Sequence, residues 1–89
     1  MKTILTVIGK DQTGIISGIS QKLYELNINI LDVSQTIMDE YFTMIMLLDL
    51  SNINVTFDEV KNTLVHTGEQ LKVKVNIQRE EIFDAMHRL

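Results

Sequence analysis

The spacing of the hydrophobic residues changes between a period of two and a period of about 3.6 along this chain, and each change marks a predicted element. Residues 2–8 are apolar or β-branched on both sides of a period-two pattern, which predicts a largely buried strand. A polar loop follows, and beyond it a helical stripe is formed by Ile15, Ile16, Ile19, Leu23 and Leu26. Asp11 or Thr13 is expected to cap this helix, and Asn27, which tolerates a positive φ, is expected to end it.

The middle of the chain predicts two strands joined by a short hairpin. Residues 28–38 alternate with a period of two, so that one face is expected to be buried and the other wet. The face expected to be buried carries Leu31, Val33 and Ile37. Asp39 and Glu40 supply the two-residue connection. Residues 41–50 carry apolar side chains on both faces, which is typical of a strand in the centre of a sheet.

The last third of the chain predicts a helix, a strand and a further helix. Thr56 and Glu59 have the spacing of a capping box, and Gly68 is expected to end the helix as a left-handed residue. Residues 71–78 alternate without interruption and carry lysines on their outward side, which is typical of an edge strand. Residues 79–89 return to helical spacing, and their apolar stripe is formed by Ile82, Phe83, Met86 and Leu89.

This order of elements, β-α-β-β-α-β followed by a C-terminal helix, predicts an α+β fold of the ferredoxin-like type. The expected architecture is an antiparallel four-stranded sheet with two helices on one face. Right-handed crossovers then place the first and third strands in the centre. The chain is expected to form a single domain over residues 1–89, with a core at about residues 2–78 and the C-terminal helix at about residues 79–89.

Composition and charge narrow the range of functions. A formal net charge of −4 and a pI near 4.9 argue against a nucleic-acid-binding surface. The sequence has no cysteine and two distant histidines, which argues against disulfides and a zinc centre, and no cofactor is expected. No run approaches the ~20 apolar residues that cross a bilayer. The first residues lack a signal-peptide cleavage site, so the protein is expected in the cytoplasm.

The loop before the first helix is the strongest candidate for a functional site. It reads Gly9-Lys10-Asp11-Gln12-Thr13-Gly14 and leads into a helix N-terminus, whose unpaired N–H groups suit a carboxylate or a phosphate. The alternative is that the two glycines only permit a tight turn and close packing. The loop lacks the arginine of an acylphosphatase, the cysteines of a metal carrier and the Gly-Lys ending of a P-loop. Because no nucleophile and base are paired in the sequence, no enzymatic activity is expected.

The segment Asp11-Gln12-Thr13-Gly14-Ile15-Ile16, followed by Leu23-Tyr24-Glu25-Leu26-Asn27-Ile28-Asn29-Ile30, resembles the ACT domain. In that family a strand ends in a D-x-x-G loop, a helix follows, and an L-x-x-N-I segment opens the second strand. The resemblance covers about residues 2–78. Further segments resemble the small stand-alone ACT-domain proteins of bacteria, a family of unassigned function: Val33-Ser34-Gln35, Asp39-Glu40-Tyr41-Phe42-Thr43-Met44 and parts of residues 77–87.

The resemblance implies a regulatory module that binds an amino acid or a similar small ligand and forms a homodimer or a higher homo-oligomer. It places the ligand where the first loop meets the start of the second strand, often across a subunit interface. The implied ligand-binding residues are Asp11, Gln12, Thr13, Gly14, Ile15, Asn29 and Ile30. Asp11 offers an acceptor for an α-ammonium group, and the Asn29 amide offers both a donor and an acceptor. No nucleic-acid or membrane partner is expected, whereas a regulated protein partner stays open.

The alternative is an assembly module without a small-molecule ligand, in which residues 79–89 and the sheet contact the same or another protein. A helix as short as residues 79–89 is marginal in water by itself, so we expect it to pack against its own domain or a sister subunit. In this alternative Asp11 is only a helix cap and Asn29 only closes a turn by bonding its own backbone.

Overall fold

The computed structural model describes residues 1–81, which form a four-stranded antiparallel sheet covered on one face by two helices. The elements are β1 (Lys2–Lys10), α1 (Ile15–Glu25), β2 (Asn29–Met38), β3 (Tyr41–Asp49), α2 (Phe57–Gln70) and β4 (Val73–Arg79). The strand order is β2-β3-β1-β4. The predicted βαββαβ order and the central position of the first and third strands are therefore confirmed.

The predicted C-terminal helix lies almost entirely outside the described residues. Arg79, which was expected to begin it, is the last residue of β4, and the backbone of Glu80 and Glu81 is helical. Residues 82–89, with the predicted stripe of Ile82, Phe83, Met86 and Leu89, are not among the described residues.

The core lies between the sheet and the two helices, because alternate residues of each strand point to the same face. β1 contributes Leu5 and Val7, and β3 contributes its full alternating set, Phe42, Met44, Met46 and Leu48. The helices close the core with Ile15, Ile19 and Leu23 from α1 and Val60 and Leu64 from α2. The other face of the sheet is less buried: Ile8 and Ile45 are 47% and 41% exposed, so the expected two-sided burial of β1 and β3 is wrong there.

The edge strand β2 differs most from its prediction. Val33 and Ile37, expected to be buried, are 45% and 55% exposed. A bulge inserts Leu31 as an extra residue between Ile30 and Asp32, which pair with consecutive residues of β3. Ile30 packs on the core, whereas residues 31–38 are all exposed. β2 is a strand as its alternation predicted, but its apolar face lacks a partner within the described chain.

The ends of α2 confirm one prediction and correct another. Thr56 caps the helix, since its hydroxyl oxygen accepts a hydrogen bond from the Glu59 N–H at 3.1 Å. Gly68 does not end the helix, which continues to Gln70, and it is Lys72 that has the left-handed φ of 62°. Gly68 is buried against β4, where a Cβ atom would lie 2.4 Å from Val75 Cγ2. The glycine is needed for close helix-to-strand contact. Because α2 continues to Gln70, β4 starts at Val73 rather than at residue 71.

The buried hydroxyl of Thr3 gives a stability prediction. Thr3 is fully buried, and within residues 1–81 its Oγ1 finds no hydrogen-bond partner. Thr3→Val keeps the shape and removes an unsatisfied polar group, so we expect the free energy of unfolding to rise by about 1 kcal/mol. The matched control is Thr67→Val, because the buried Thr67 hydroxyl donates to the Thr63 carbonyl at 2.9 Å. Urea unfolding should show no gain for Thr67→Val; an equal gain in both variants would show that the missing hydrogen bond is not the cause.

Candidate functional site

The helix α1 begins without a side-chain cap. Gly14 is its N-cap residue, with a left-handed φ of 95°, and it has no side chain that could accept a hydrogen bond from the first turn. The first bond into the helix runs from the Gly18 N–H to the Gly14 carbonyl at 2.9 Å, so the N–H groups of the preceding turn have no place in the helical ladder. The expected caps, Asp11 and Thr13, are therefore wrong, because they precede the true N-cap residue and a cap acts from that position.

The loop between β1 and α1 is held in place from two sides. The Asp11 N–H donates to the carbonyl of Glu40, in the β2–β3 hairpin, at 2.8 Å. The Gln12 side-chain amide donates to the carbonyl of Leu71, in the turn between α2 and β4. The hairpin has its predicted two-residue turn, with Asp39 at a φ of 59°. The side chain of Asp11 takes part in none of these contacts and lies exposed at the mouth of the loop.

A groove with a volume of about 540 Å³ runs from this loop along the first two turns of α1. Its lining consists of Asp11, Gln12, Gly14, Ile15, Ile16, Ser17, Ser20 and Phe42. Ile16 was expected in the core but is 45% exposed, because it faces this groove. The volume falls within the range of small-molecule sites, and the lining combines an apolar wall with a few polar groups.

Four of the seven predicted site residues line this groove: Asp11, Gln12, Gly14 and Ile15. Thr13 lies exposed in the same loop but does not line it. Sequence reasoning missed Ile16, Ser17, Ser20 and Phe42 as lining residues. Ser17 and Ser20 could have been predicted as lining residues. The helical period places both on the outward face of the helix, directly after the loop.

Asn29 and Ile30 lie at the opposite end of the sheet from this groove. Lys10, next to the loop, pairs with Tyr41, whereas Asn29 pairs with Asp49 at the other end of the same strand β3. At about 3.4 Å per residue, Tyr41 and Asp49, the two ends of β3, lie about 27 Å apart. Asn29 is exposed, and Ile30 is half-buried against the core. One chain alone therefore does not bring the predicted site residues together.

The carboxylate opposite Asn29 has a perturbed pKa. The Ser51 hydroxyl donates to Asp49 Oδ1 at 2.5 Å and the Ser51 N–H donates to it at 3.0 Å. These two hydrogen bonds lower the pKa of Asp49 from its ordinary value of 3.8. The folded chain therefore favours the ionised carboxyl at this end of β3.

This pKa predicts a pH dependence of stability. The contribution of Asp49 is complete above its ordinary pKa and is lost as the pH falls through that value toward the lower folded pKa. Between pH values of about 6 and about 3 the free energy of unfolding should therefore fall less in Asp49→Asn than in the native sequence. Because the carboxyl is solvent-exposed, the difference is expected to be small. Parallel urea titrations of the two proteins measure it, and identical pH profiles would contradict the assignment to Asp49.

Across residues 1–81, no three His, Cys, Asp or Glu side chains cluster as metal ligands would. Nor does that part of the chain contain a helix with the length and hydrophobicity that a membrane crossing requires.

Comparison with known proteins identifies the family. A family model described as the ACT domain matches residues 2–78. The chain belongs to the ACT domain family. A UPF0237 protein of Listeria innocua is 65% identical over 89 residues, which cover 100% of both chains. A UPF0237 protein of Methanocaldococcus jannaschii is 53% identical, covering 99% of this chain and 98% of the relative. The solved ACT domain protein from Streptococcus pneumoniae is 47% identical, with a TM-score of 0.82 and 98% of each chain covered.

The left-handed backbone of Gly14 gives a prediction for this ACT domain. A Cβ atom at Gly14 would meet open space, with Ser17 Oγ as its nearest neighbour at 4.0 Å, but the φ of +95° disfavours any side chain. Gly14→Ala should therefore lower the free energy of unfolding by about 1 to 2 kcal/mol through backbone strain alone. Valine at the same position should cost more and also distort the groove. An unfolding midpoint unchanged in urea would show that the loop tolerates other backbone angles.

Proposed function

We propose that this ACT domain is a non-enzymatic regulatory module that binds an amino acid, or a similar small ligand, as a homodimer or higher homo-oligomer. The observation that carries the proposal is the groove at the start of α1, a helix without a side-chain cap, where Asp11 and the first residues of the helix line one cavity. Membership of a family whose members are typically regulatory ligand-binding domains supports it.

The two charged groups of an α-amino acid match the two polar parts of the groove, the start of α1 and the carboxylate of Asp11. The α-carboxylate binds the N–H groups at the start of α1, where the helix dipole favours a negative charge. The α-ammonium group binds the carboxylate of Asp11. The ligand side chain then lies along Ile16 and Phe42, the apolar wall of the groove. In this arrangement Gln12 is a positioning residue, because its amide already holds the loop to Leu71.

A second copy of the chain supplies the missing half of the site. β2 is an edge strand with unpaired backbone groups on its outer side, and neither lysine nor proline protects it. Antiparallel pairing of two β2 strands about a two-fold axis places the start of one strand beside the end of the other. Asn29 of the partner subunit then comes to the hairpin end of β2, where Glu40 holds the Asp11 loop. The pairing also places the exposed side chains of Leu31, Val33 and Ile37 beside side chains of the partner's β2 strand.

The direct test is an amide NMR titration of the isotope-labelled protein with each amino acid in turn. We expect saturable shifts confined to residues 11–17 and to residues 29–30, from one or a few amino acids. Shifts at both ends of the sheet from a single ligand would support a site shared between subunits. A folded oligomer that shows no saturable shift with any amino acid would contradict the proposal. It would favour the alternative of an assembly module without a ligand.

A mixing experiment tests whether the site is shared. Asp11→Ala and Asn29→Ala are each expected to weaken binding, but a mixed dimer of the two variants contains one site with both native residues. Random exchange makes about half of the dimers mixed, so about a quarter of all sites should regain native affinity. Calorimetry before and after subunit exchange measures this recovery. No recovery, with exchange shown by mass spectrometry, would place Asp11 and Asn29 outside a common site.

A further inference from the structure

The β2 edge of the sheet contains a regular segment with a defined beginning and end. β2 is hydrogen-bonded to β3 on one side only, and its residues 31–38 are all exposed. The bulge at Leu31 interrupts regular pairing at one end, and the two-residue turn after Met38 ends the strand at the other. Residues 32–38 therefore form an uninterrupted strand, along which a second strand can pair over its full length.

Two-fold symmetry limits the ways in which two such segments can pair. In a symmetric antiparallel pair, the residue at the axis faces its own copy, and residues at equal distances on either side of it face each other. With the axis at Gln35, the midpoint of residues 32–38, all seven residues of the segment are paired. Moving the axis by one residue, to Ser34 or to Thr36, leaves only five of the seven paired. The longest ladder therefore has Gln35 at its centre.

The face of β2 toward the helices favours the same register. Val33, Gln35 and Ile37 lie on this face, because their partners in β3 are buried core residues. With the axis at Gln35, Val33 of each chain lies opposite Ile37 of the other, with Cβ atoms about 5 Å apart. Val33 and Ile37 are 45% and 55% exposed, so their contact removes apolar surface from water. The two Gln35 amides meet at the axis, where each can donate to and accept from the other.

The face of β2 away from the helices also fits this register. Ser34 lies opposite Thr36 of the partner subunit, a pair of hydroxyl side chains that hydrogen-bond across strands. Asp32 lies opposite Met38 of the partner subunit, so no like charges face each other. With the axis at Thr36, Asp32 would instead come level with Glu40 of the partner subunit, and like charges in that position destabilise a strand pair.

We propose that two copies of the chain pair antiparallel along β2 with Gln35 at the two-fold axis. This register rests on the subunit pairing proposed above for the ligand site and specifies its geometry. Because Leu31 bulges out of the ladder, Asn29 of the partner subunit lies two ladder positions beyond its Asp32 and comes level with Glu40. The Glu40 carbonyl accepts the hydrogen bond of the Asp11 N–H at 2.8 Å. The register that pairs the most residues thus also delivers Asn29 to the Asp11 loop.

The same register adds a partner residue to the apolar wall of the α1 groove. Ile37 pairs with Phe42, which lines the groove, and both lie on the face of the sheet toward the helices. Val33 of the partner subunit lies opposite Ile37. The apolar surface that begins at Phe42 therefore continues through Ile37 into the second chain.

Disulfide cross-linking of single-cysteine variants tests the register, because the sequence contains no cysteine. Residues directly opposite each other have Cα atoms about 4.5 to 5.5 Å apart, within disulfide range, whereas diagonal neighbours lie more than about 7 Å apart. Under mild oxidation Gln35→Cys should form covalent dimers in most chains, whereas Ser34→Cys or Thr36→Cys alone should stay monomeric. An equal mixture of Ser34→Cys and Thr36→Cys, after subunit exchange, should cross-link about half of the chains.

Non-reducing gels give the yield, and Lys61→Cys, at an exposed position of α2, measures cross-linking by random collision. Efficient cross-linking of Ser34→Cys or Thr36→Cys alone would overturn the register while keeping β2 as the interface. No cross-linking above the Lys61→Cys level at any of the three β2 positions would overturn the pairing of β2 itself. The amino-acid titration measures ligand binding separately, so a wrong register and a missing ligand site give different results.

Discussion

Gly68→Val is expected to lower the free energy of unfolding by about 3 kcal/mol or more, the largest stability effect predicted for a single substitution in this chain. A Cβ atom at this position would lie 2.4 Å from Val75 Cγ2 and 3.0 Å from the carbonyl oxygen of Val73. The carbonyl belongs to the backbone of β4 and cannot move without disturbing the sheet. Since a domain of this size is stable by about 5 to 15 kcal/mol, the loss is a substantial part of the total.

Gly18→Ala is the matched control, because Gly18 is also a glycine inside a helix. A Cβ atom there would lie 2.9 Å from Leu71 Cδ1, which is the end of a flexible side chain. Alanine also favours the helix over glycine by about 1 kcal/mol, so we expect the stability to stay within about 1 kcal/mol of the native value. Urea unfolding of both variants gives the comparison. Equal losses at the two positions would show that contact with β4 is not the reason for Gly68.

Asn29→Ala is expected to weaken amino-acid binding by about 1 to 3 kcal/mol, which corresponds to roughly a 5- to 150-fold rise in Kd. In the proposed site its amide bonds a polar ligand that is removed from water, and its loss leaves ligand groups without partners. The fold should be nearly unaffected, because Asn29 is exposed and its side chain supports no described contact within residues 1–81. Calorimetry gives the affinity, and thermal unfolding without ligand gives the stability.

Asn76→Ala serves as the control for this substitution, since Asn76 is an exposed asparagine at a strand position far from the β2 edge. It should leave the Kd unchanged. If Asn29→Ala binds ligand as tightly as the native protein, Asn29 has no part in the site and the residue only begins a strand. Equal weakening by both variants would indicate a general effect on the sheet rather than a contact with the ligand.

Those features of the fold that depend on local physics could be predicted from the sequence. The order of the elements follows from hydrophobic periodicity, and the cap at Thr56 follows from the short reach of its hydroxyl to the Glu59 N–H. Asn27 ends α1 with a φ of 61°, as its tolerance of positive φ predicted. The central position of β1 and β3 followed from the handedness of crossovers, a rule that needs only the order of elements.

The errors share a different origin, because each depends on which element lies opposite a residue. A glycine near the end of a helix can either terminate the helix or allow close contact with another element. The position of β4 shows that Gly68 has the second role. Ile16 continues an apolar stripe, but the width of the core under α1 leaves it facing the groove. Asn29 is separated from the Asp11 loop because β1 and β2 run parallel, so that the end of β1 and the start of β2 lie at opposite ends of the sheet.

In the proposed shared site, the placement of Asp11 and Asn29 at opposite ends of one chain would make subunit association and ligand binding a single linked equilibrium. A ligand that touches both chains must tighten their association by the same factor by which association tightens its own binding. Below the concentration at which the subunits pair, the ligand meets only half-sites and its apparent affinity falls. The response is then set by the abundance of the protein as well as by that of the ligand, and dilution alone abolishes it.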